Sequence, residues 1–279
     1  MNNPTSQVPE TLAGIKHIIA VASGKGGVGK STTAVNLALA LHNAGASVGL
    51  LDADIYGPSQ PMMLGVEGSR PEVIDQNFFK PISIQGLKVM SMGFLVTDQT
   101  PMVWRGPMAS GALQQMLLQT MWGELDYLVV DMPPGTGDIQ LTLAQRANLS
   151  GAVIVTTPQD IALLDAKKGI EMFRKVNVPV LGVVENMATH ICSQCGHEEH
   201  IFGAGGGERI AKDYQTEVLG SLPLSLAIRE QVDNGLPSVK QNPDSDIAKL
   251  YIAIAEKIQQ KLGTSKPASP FPKMTIVND

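Results

Sequence analysis

The sequence has little of what several large classes of protein need. Only two of its 279 residues are cysteines, which disfavours a disulfide-stabilised fold and indicates a reducing compartment. Aromatic residues make up 4% of the chain, too few for a surface that stacks on single-stranded nucleic acid. The formal net charge is −5, whereas a nucleic-acid binder needs a cationic face. We therefore expect no nucleic-acid partner.

Long apolar runs are also missing from the chain. No run reaches the roughly 18–20 residues of a membrane-spanning helix, and residues 1–10 lack the basic start and apolar core of a secretory signal. We therefore expect a cytoplasmic protein with no membrane partner. Hydrophobic residues nevertheless make up 43% of the chain, which is enough for one large core.

Short apolar runs alternate with amphipathic stretches from Ile15 onward. Continuous apolar runs are typical of strands that are covered on both faces of a parallel sheet. The predicted strands are 17–22, 48–51, 127–130, 152–155 and 180–184, and the predicted helices are 33–44, 160–176 and 244–262. Strands separated by helices predict a three-layer α/β fold with a mostly parallel central sheet.

The remaining segments differ in composition from this regular part. Residues 1–14 are polar and are predicted to be flexible, and the Pro-rich segment 263–279 is predicted to be disordered. Residues 57–121, rich in Met, Pro and Gly, are predicted to form an insertion that contains a hairpin near 82–90. One folded domain is therefore expected over residues 15–262.

A glycine-rich loop follows the first predicted strand and precedes a helix. Residues 24–31 match the pattern G-x-x-x-x-G-K-[ST], in which backbone N–H groups and a helix N-terminus surround phosphates. We predict an ATP-binding P-loop ATPase in which Lys30 reaches the β- and γ-phosphates and the Ser31 hydroxyl binds Mg²⁺. The predicted nucleotide-binding residues of this loop are Gly24, Lys25, Gly26, Gly27, Val28, Gly29, Lys30, Ser31 and Thr32.

Three carboxylates follow predicted strands near this loop. Asp131 ends one apolar strand, where a carboxylate can hold Mg²⁺ through water. Asp52 and Asp54 close another strand, and capping of a turn is the simpler explanation for such a pair. Their place beside the phosphate loop favours a role in the nucleotide site, more firmly for Asp131 than for Asp52.

The loop carries an additional lysine, Lys25, before Lys30. This lysine makes residues 25–31 resemble the deviant Walker A motif of MinD/ParA-like ATPases. The resemblance implies a face-to-face homodimer in which Lys25 contacts the partner's nucleotide. It also implies that Asp54 orients the attacking water, that Asp52 supports the metal, and that Asn186 bonds the adenine edge. An Asn after a strand is more often a turn former, so Asn186 is weak support by itself.

Cys192 and Cys195 are close enough in sequence to share one metal centre. A redox pair would normally open a helix near the start of a thioredoxin-like unit, which is not the context here. A zinc site with His197 and His200 is a rival, although the spacing between these histidines is shorter than usual. Two unligated thiols are also possible. A [4Fe–4S] cluster needs four thiolates, which two copies of the chain would supply.

Several segments together resemble the Mrp/ApbC family of iron–sulfur cluster carriers. They are residues 25–31, 52–59, 131–138, 184–187, 192–197 and 201–203. The resemblance implies a homodimer that binds Mg·ATP, hydrolyses it slowly, holds one [4Fe–4S] cluster through Cys192 and Cys195, and passes it to apoproteins. The competing functions are a positioning ATPase that acts on DNA or membranes, and an ATP-dependent group-transfer enzyme.

Overall fold

The computed structural model describes residues 10–95, 106–192 and 194–264, and the elements below belong to these residues. Their strands are β1 (Ile15–Ala22), β2 (Val48–Asp52), β3 (Glu72–Ile74), β4 (Phe78–Lys80), β5 (Ile82–Ile84), β6 (Leu87–Ser91), β7 (Leu125–Asp131), β8 (Gly151–Thr156), β9 (Val180–Glu185), β10 (His190–Ile191), β11 (Glu198–Glu199) and β12 (Val218–Ser221).

The helices include several that pattern alone did not predict. They are α1 (Glu10–Ala13), α2 (Lys30–Asn43), α3 (Gln60–Met63), α4 (Gly106–Gln119), α5 (Asp138–Arg146), α6 (Asp160–Lys175), α7 (Gly206–Asp213), α8 (Leu226–Asp233), α9 (Ser238–Gln241) and α10 (Asp246–Thr264), with a 3₁₀ turn at Met92–Phe94. No helix of the described part is long and apolar enough to cross a bilayer.

Eight strands form the central sheet in the order β12-β9-β8-β1-β7-β2-β6-β5. Every neighbouring pair is parallel except β5 and β6, which form an antiparallel hairpin at one edge. The strands β3 and β4, and also β10 and β11, form separate two-stranded hairpins. The α/β class and the mostly parallel sheet predicted from the sequence are therefore confirmed.

The helices lie in layers on both faces of the sheet. The crossover through α2 moves from β1 towards one edge, and the crossover through α6 moves from β8 towards the other. Because such crossovers are right-handed, α2 and α6 lie on opposite faces. Helices α9 and α10 pack beside α2, whereas α5 and α7 pack beside α6. The central strands are covered on both sides, and Ile19, Leu50 and Val129 are fully buried.

The prediction that residues 57–121 form an insertion was wrong in one respect. Its hairpin is present as β5 and β6, but β6 also runs parallel to β2, with Val48 opposite Leu87 and Asp52 opposite Ser91. The segment thus completes the central sheet. Strand β6 is only five residues long and lies far from its neighbour β2 in the sequence, so local pattern gave no sign of this pairing.

The prediction that residues 1–14 are flexible was also wrong for residues 10–13, which form a helix. Helix α1 begins at Glu10, the Leu12 side chain is only 3% exposed, and the Thr11 hydroxyl donates a hydrogen bond to the Leu118 carbonyl at 2.7 Å. One apolar side chain among polar neighbours does not reveal such docking in sequence. Residues 1–9 and 265–279, including most of the predicted disordered tail, lie outside the described residues.

We expect Leu12→Ala to lower the free energy of unfolding by about 2–3 kcal/mol, because it removes a buried side chain and leaves a cavity. Leu226→Ala is the matched control, since Leu226 is 64% exposed and its truncation should change stability by less than about 0.5 kcal/mol. Urea unfolding of both variants measures the difference. Equal stabilities for the two variants would mean that α1 does not dock.

Candidate functional site

The glycine-rich loop joins the buried strand β1 to helix α2. Gly29 is the N-cap of α2, with a φ of 83° that favours glycine, and no side chain caps the helix. Apart from the adjacent residues of the loop, no atom of the described residues lies within 4 Å of the position that a Cβ on Gly26 or Gly27 would occupy. Uncapped N–H groups facing open space form a cradle that fits the phosphates of a nucleotide.

The outer side of this loop is held by neighbouring elements. A Cβ on Gly24 would lie 2.1 Å from the Asp165 carbonyl of α6, so only glycine allows the helix to pack there. On another side, the Asn186 amide donates a hydrogen bond to the Val28 carbonyl at 2.8 Å. The structure therefore brings Asn186 to the phosphate loop, while its predicted contact with adenine stays a prediction.

The carboxyl ends of four neighbouring strands bring three polar residues and one valine into one row. In β6, β2, β7 and β1 the residues opposite one another are Ser91, Asp52, Asp131 and Val21. This edge also carries the glycine-rich loop, which follows β1. Parallel α/β sheets bind their ligands at this end of the strands. The sheet topology thus joins motifs that are about 100 residues apart in the sequence.

Lys30 and Asp131 form the buried centre of the site. The Lys30 ammonium lies 2.6 Å from Asp131 Oδ1, 3.2 Å from the Ser31 hydroxyl and 3.9 Å from Asp54 Oδ2. Asp131 is fully buried and Lys30 is 6% exposed. Ser31 and Asp131, two of the three residues predicted to bind or support magnesium, are therefore both next to the predicted phosphate-binding lysine.

The chemistry of these residues fits magnesium bound together with a nucleotide. Within the described residues, no group of three or more His, Cys, Asp or Glu side chains is arranged to hold a metal ion. A nucleotide-bound Mg²⁺ does not need such a cage, because phosphates and waters supply most of its ligands. One hydroxyl and one carboxylate, from Ser31 and Asp131, are sufficient for this kind of site.

Asp52 has a setting that the sequence did not indicate. Its Oδ2 accepts hydrogen bonds from the backbone of Ser59 and Gln60, both at 3.1 Å, and from the Ser91 hydroxyl at 2.9 Å. Burial, and then repulsion by Asp131, raises the pKa of the Asp52 carboxyl to about 7. These contacts make Asp52 the anchor of the loop after β2, and its predicted support of the metal stays a prediction.

Asp54 lies between the buried centre and the surface. Its Oδ1 accepts a hydrogen bond from the Gly57 backbone at 3.3 Å. Burial raises the pKa of the Asp54 carboxyl, with a smaller contribution from Asp131, while Lys30 acts in the opposite direction. The predicted role of Asp54 in orienting the attacking water stays a prediction.

Lys25 lies in the loop itself. Its carbonyl accepts a hydrogen bond from the Ser23 hydroxyl at 2.8 Å, which fixes the backbone around the side chain. No ion pair to the Lys25 ammonium occurs among the described residues, unlike the buried Lys30. An unpaired ammonium at this position suits contact with a second molecule, and the predicted contact across a dimer stays a prediction.

The two cysteines lie at the tip of the hairpin formed by β10 and β11. The Cys192 backbone N–H donates to the His197 carbonyl, and the Gly196 N–H donates to the Cys192 carbonyl, both at 2.9 Å. Cys195 is exposed. Hydrogen bonds from the Cys195 and Gln194 backbone, and from the Cys195 side chain, lower the pKa of the Cys192 thiol. This favours the thiolate, which is the form that binds metals.

The structure gives no support to a zinc site built from one chain. The described residues lack any cluster of three metal-binding side chains, so His197 and His200 do not join the cysteines. The His200 Nδ1 instead lies 2.9 Å from the Ala188 carbonyl. Within the described residues, one chain therefore offers a metal centre two thiols on this hairpin and no further metal-binding side chains.

The nucleotide site and the hairpin are close in sequence and are joined by a short, well-bonded segment. Cys192 follows Asn186 by six residues. Between them, the Ala188 N–H donates to the Leu222 carbonyl at 2.9 Å, and the Ala188 carbonyl contacts His200 as described above. A shift of Asn186 with the phosphate loop would therefore reach the cysteine hairpin through few residues.

Comparison with known proteins agrees with this geometry. The chain is 67% identical over 251 residues to an iron-sulfur cluster carrier protein of Pseudomonas fragi, covering 90% of this chain and 87% of that one. It is 62% identical over 251 residues to the iron-sulfur cluster carrier protein of Escherichia coli K12, covering 90% and 68%. The iron-sulfur cluster transfer protein NUBPL of Mus musculus is 55% identical over 256 residues, covering 91% and 80%.

Two solved structures share the fold of this chain. A nucleotide-binding protein from Archaeoglobus fulgidus, in complex with ADP, matches with a TM-score of 0.75 and 39% identity over 87% of this chain and 94% of that one. The septum site-determining protein MinD of Pyrococcus horikoshii, with Mg-ADP, matches with a TM-score of 0.69 over 88% and 97%, and at 23% identity it shows the fold alone.

The profile of the ParA family, described as NUBPL iron-transfer P-loop NTPase, matches residues 14–259 of this chain. This range contains the glycine-rich loop, the three carboxylates at the strand ends and the cysteine hairpin. The chain therefore belongs to the ParA family of NUBPL iron-transfer P-loop NTPases.

Proposed function

We propose that the chain is an ATP-dependent iron–sulfur cluster carrier that transfers its cluster to apoproteins. The observation that carries the proposal is the pair of a half-buried Cys192 and an exposed Cys195, on a hairpin that begins a few residues after the Asn186 that holds the phosphate loop. The carrier names of the relatives from Pseudomonas fragi and Escherichia coli support it. The cytoplasmic location expected from the sequence stays a prediction.

The proposed cargo is one [4Fe–4S] cluster held between two copies of the chain. A cluster of this type takes four thiolates, and one chain offers two. A two-fold dimer would bring two identical hairpins together. The lowered pKa of Cys192 favours the required thiolate. The alternative, one zinc per chain, lacks a third ligand among the described residues.

The proposed reaction at the P-loop is slow hydrolysis of ATP. The glycine cradle binds the phosphates, Lys30 neutralises the β- and γ-phosphates, and Asp54 orients the attacking water. When bound, Mg²⁺ would neutralise further phosphate charge next to Ser31 and Asp131. Lys25 would reach the partner's nucleotide, as the family resemblance implies.

Nucleotide binding is proposed to act as a switch on the cluster. The loop after Asp131 is bonded to the phosphate loop, because the Gly135 N–H donates to the Ser23 carbonyl at 3.0 Å. The loop after Asp54 is held by Asp52, whose carboxylate accepts hydrogen bonds from the backbone N–H groups of Asp54 and Ser59. A γ-phosphate would order both loops, and Asn186 would pass the change to the cysteine hairpin. DNA, membrane or group-transfer chemistry has no comparable support in the described residues.

Lys30→Ala should abolish ATP binding, because it removes the cation that faces the phosphates. It also leaves the buried Asp131 carboxylate unpaired, so the free energy of unfolding should fall by about 3–5 kcal/mol. Adding Asp131→Asn should restore much of the stability but not the binding. Chemical unfolding and ATP titration measure the two effects, and wild-type affinity in the folded double variant would contradict the site assignment.

Asp54→Asn should bind ATP with near-normal affinity but hydrolyse it about 100-fold or more slowly, because a neutral amide orients and polarises the attacking water less well than a carboxylate does. The phosphate cradle does not contain Asp54, so binding provides the internal control. Single-turnover hydrolysis and equilibrium binding are measured on the same preparation. A wild-type hydrolysis rate would show that Asp54 is not the water-orienting residue.

Cys192→Ala and Cys195→Ala should each prevent cluster binding in anaerobically reconstituted protein, since either change leaves a dimer with two thiolates. ATP binding should persist in both variants. His197→Ala is the matched control within the same exposed loop and should keep about four irons per dimer. Iron, sulfide and zinc analysis gives the stoichiometry. One zinc per chain, lost in His197→Ala, would contradict the bridging cluster.

A further inference from the structure

Gln60, the first residue of α3, is buried in the nucleotide site but belongs to none of the motifs found in the sequence. Its side chain is fully buried, and its amide nitrogen donates to Asp131 Oδ2 at 2.8 Å and to the Ser31 carbonyl at 3.0 Å. Its backbone N–H donates to Asp52 Oδ2 at 3.1 Å. One residue thus bonds to the phosphate loop and to the ends of β2 and β7.

The side chain of Gln60 contacts the residues that are proposed to bind magnesium. Asp131 is held by Lys30 through Oδ1 and by Gln60 through Oδ2, so both carboxylate oxygens are fixed. The Gln60 amide nitrogen also donates to the backbone carbonyl of Ser31. Partners of metal ligands orient those ligands, and their loss typically lowers metal affinity about 10- to 100-fold.

The amide oxygen of Gln60 is left without a partner. Both groups that face the amide nitrogen are acceptors, so the orientation of the amide is fixed by its neighbours. The Oε1 atom is buried and accepts no hydrogen bond from the described residues. A buried acceptor without a donor is unfavourable, and such atoms in native proteins call for an explanation. A donor that arrives with the ligand would provide one.

We propose that Gln60 is a positioning residue for the magnesium–nucleotide complex. Its amide nitrogen fixes Asp131 and Ser31, and its amide oxygen accepts a hydrogen bond from water bound to the magnesium ion. Because Gln60 also ends the loop that begins at Asp54, it links the position of that loop to the metal site. This inference rests on the proposed nucleotide site and adds a residue to it.

A merely structural role for Gln60 would have a different consequence. If the amide only stabilised the fold, its loss would weaken all nucleotide binding equally, with or without metal. If it positions the metal ligands, its loss lowers only the part of the affinity that magnesium adds. The ratio of nucleotide affinities with and without magnesium therefore separates the two roles.

The test is calorimetric titration of ADP into the full chain, in EDTA and in excess Mg²⁺. Gln60→Met keeps the length of the side chain and removes the amide. We expect its affinity for ADP in EDTA to stay within about twofold of wild type, and the enhancement by Mg²⁺ to fall about tenfold. Bound Mn²⁺, measured by electron paramagnetic resonance with ADP present, should decrease in parallel.

Gln85→Met is the matched control. Gln85 also has a buried amide oxygen without a partner among the described residues, and its amide nitrogen donates to the carbonyls of Leu64 and Gly235, at the opposite end of α3 from the Gln60 side chain's contacts. In Gln85→Met, the enhancement of ADP affinity by Mg²⁺ should equal that of wild type. If Gln60→Met does not fold, Gln60→Asn replaces it, because the shorter amide cannot span Asp131 and Ser31, and the same loss is expected.

Three outcomes would overturn the inference. A wild-type Mg²⁺ enhancement in the Gln60 variant would show that the residue does not act on the metal. A parallel loss of affinity in EDTA and in Mg²⁺ would assign Gln60 a structural role. If the wild-type chain does not bind ADP at all, the proposed nucleotide site itself is wrong. This result differs from the first two outcomes, in which the wild-type chain binds ADP and only the role of Gln60 is wrong.

Discussion

The buried ion pair between Lys30 and Asp131 is the interaction on which the site depends. Its two charges lie almost entirely out of water, which is costly unless the pair is close and its remaining atoms are bonded. The 2.6 Å contact, with further hydrogen bonds from Gln60 to Asp131 and from Lys30 to the Ser31 hydroxyl, meets this condition. The pair joins the phosphate loop to the end of β7, so the nucleotide site and the core of the sheet form one unit.

The second constraint is the row of residues at the carboxyl ends of the parallel strands. Asp52 receives hydrogen bonds from β6 through Ser91 and from the start of α3 through Ser59 and Gln60. Burial, and then repulsion from Asp131, raises the pKa of Asp52, and these hydrogen bonds act in the opposite direction. The loop that carries Asp54 is therefore bonded to the Asp52 carboxylate at both of its ends.

The cysteine hairpin is attached to this unit by a short segment. Asn186 contacts the phosphate loop, and Ala188 contacts both Leu222 and His200 before the chain reaches Cys192. A carrier must bind its cluster firmly and also release it. A short connection between the phosphate loop and the two thiols is a physical means of coupling these two requirements, consistent with the carrier function that we propose.

The sequence by itself determined the features that depend on consecutive residues. The glycine spacing of residues 24–31 predicted a loop between a strand and a helix, the apolar runs predicted the central strands, and Asp131 was predicted at the end of a strand near that loop. Residues near one another in sequence fix such features, because backbone conformation and strand periodicity are local. The pairing of β6 with β2, the docking of Leu12, and the contacts of Gln60, Ser91 and Asn186 were decided only by the tertiary structure. Each of these joins residues that are far apart in the chain, and only the order of strands in the sheet brings them together.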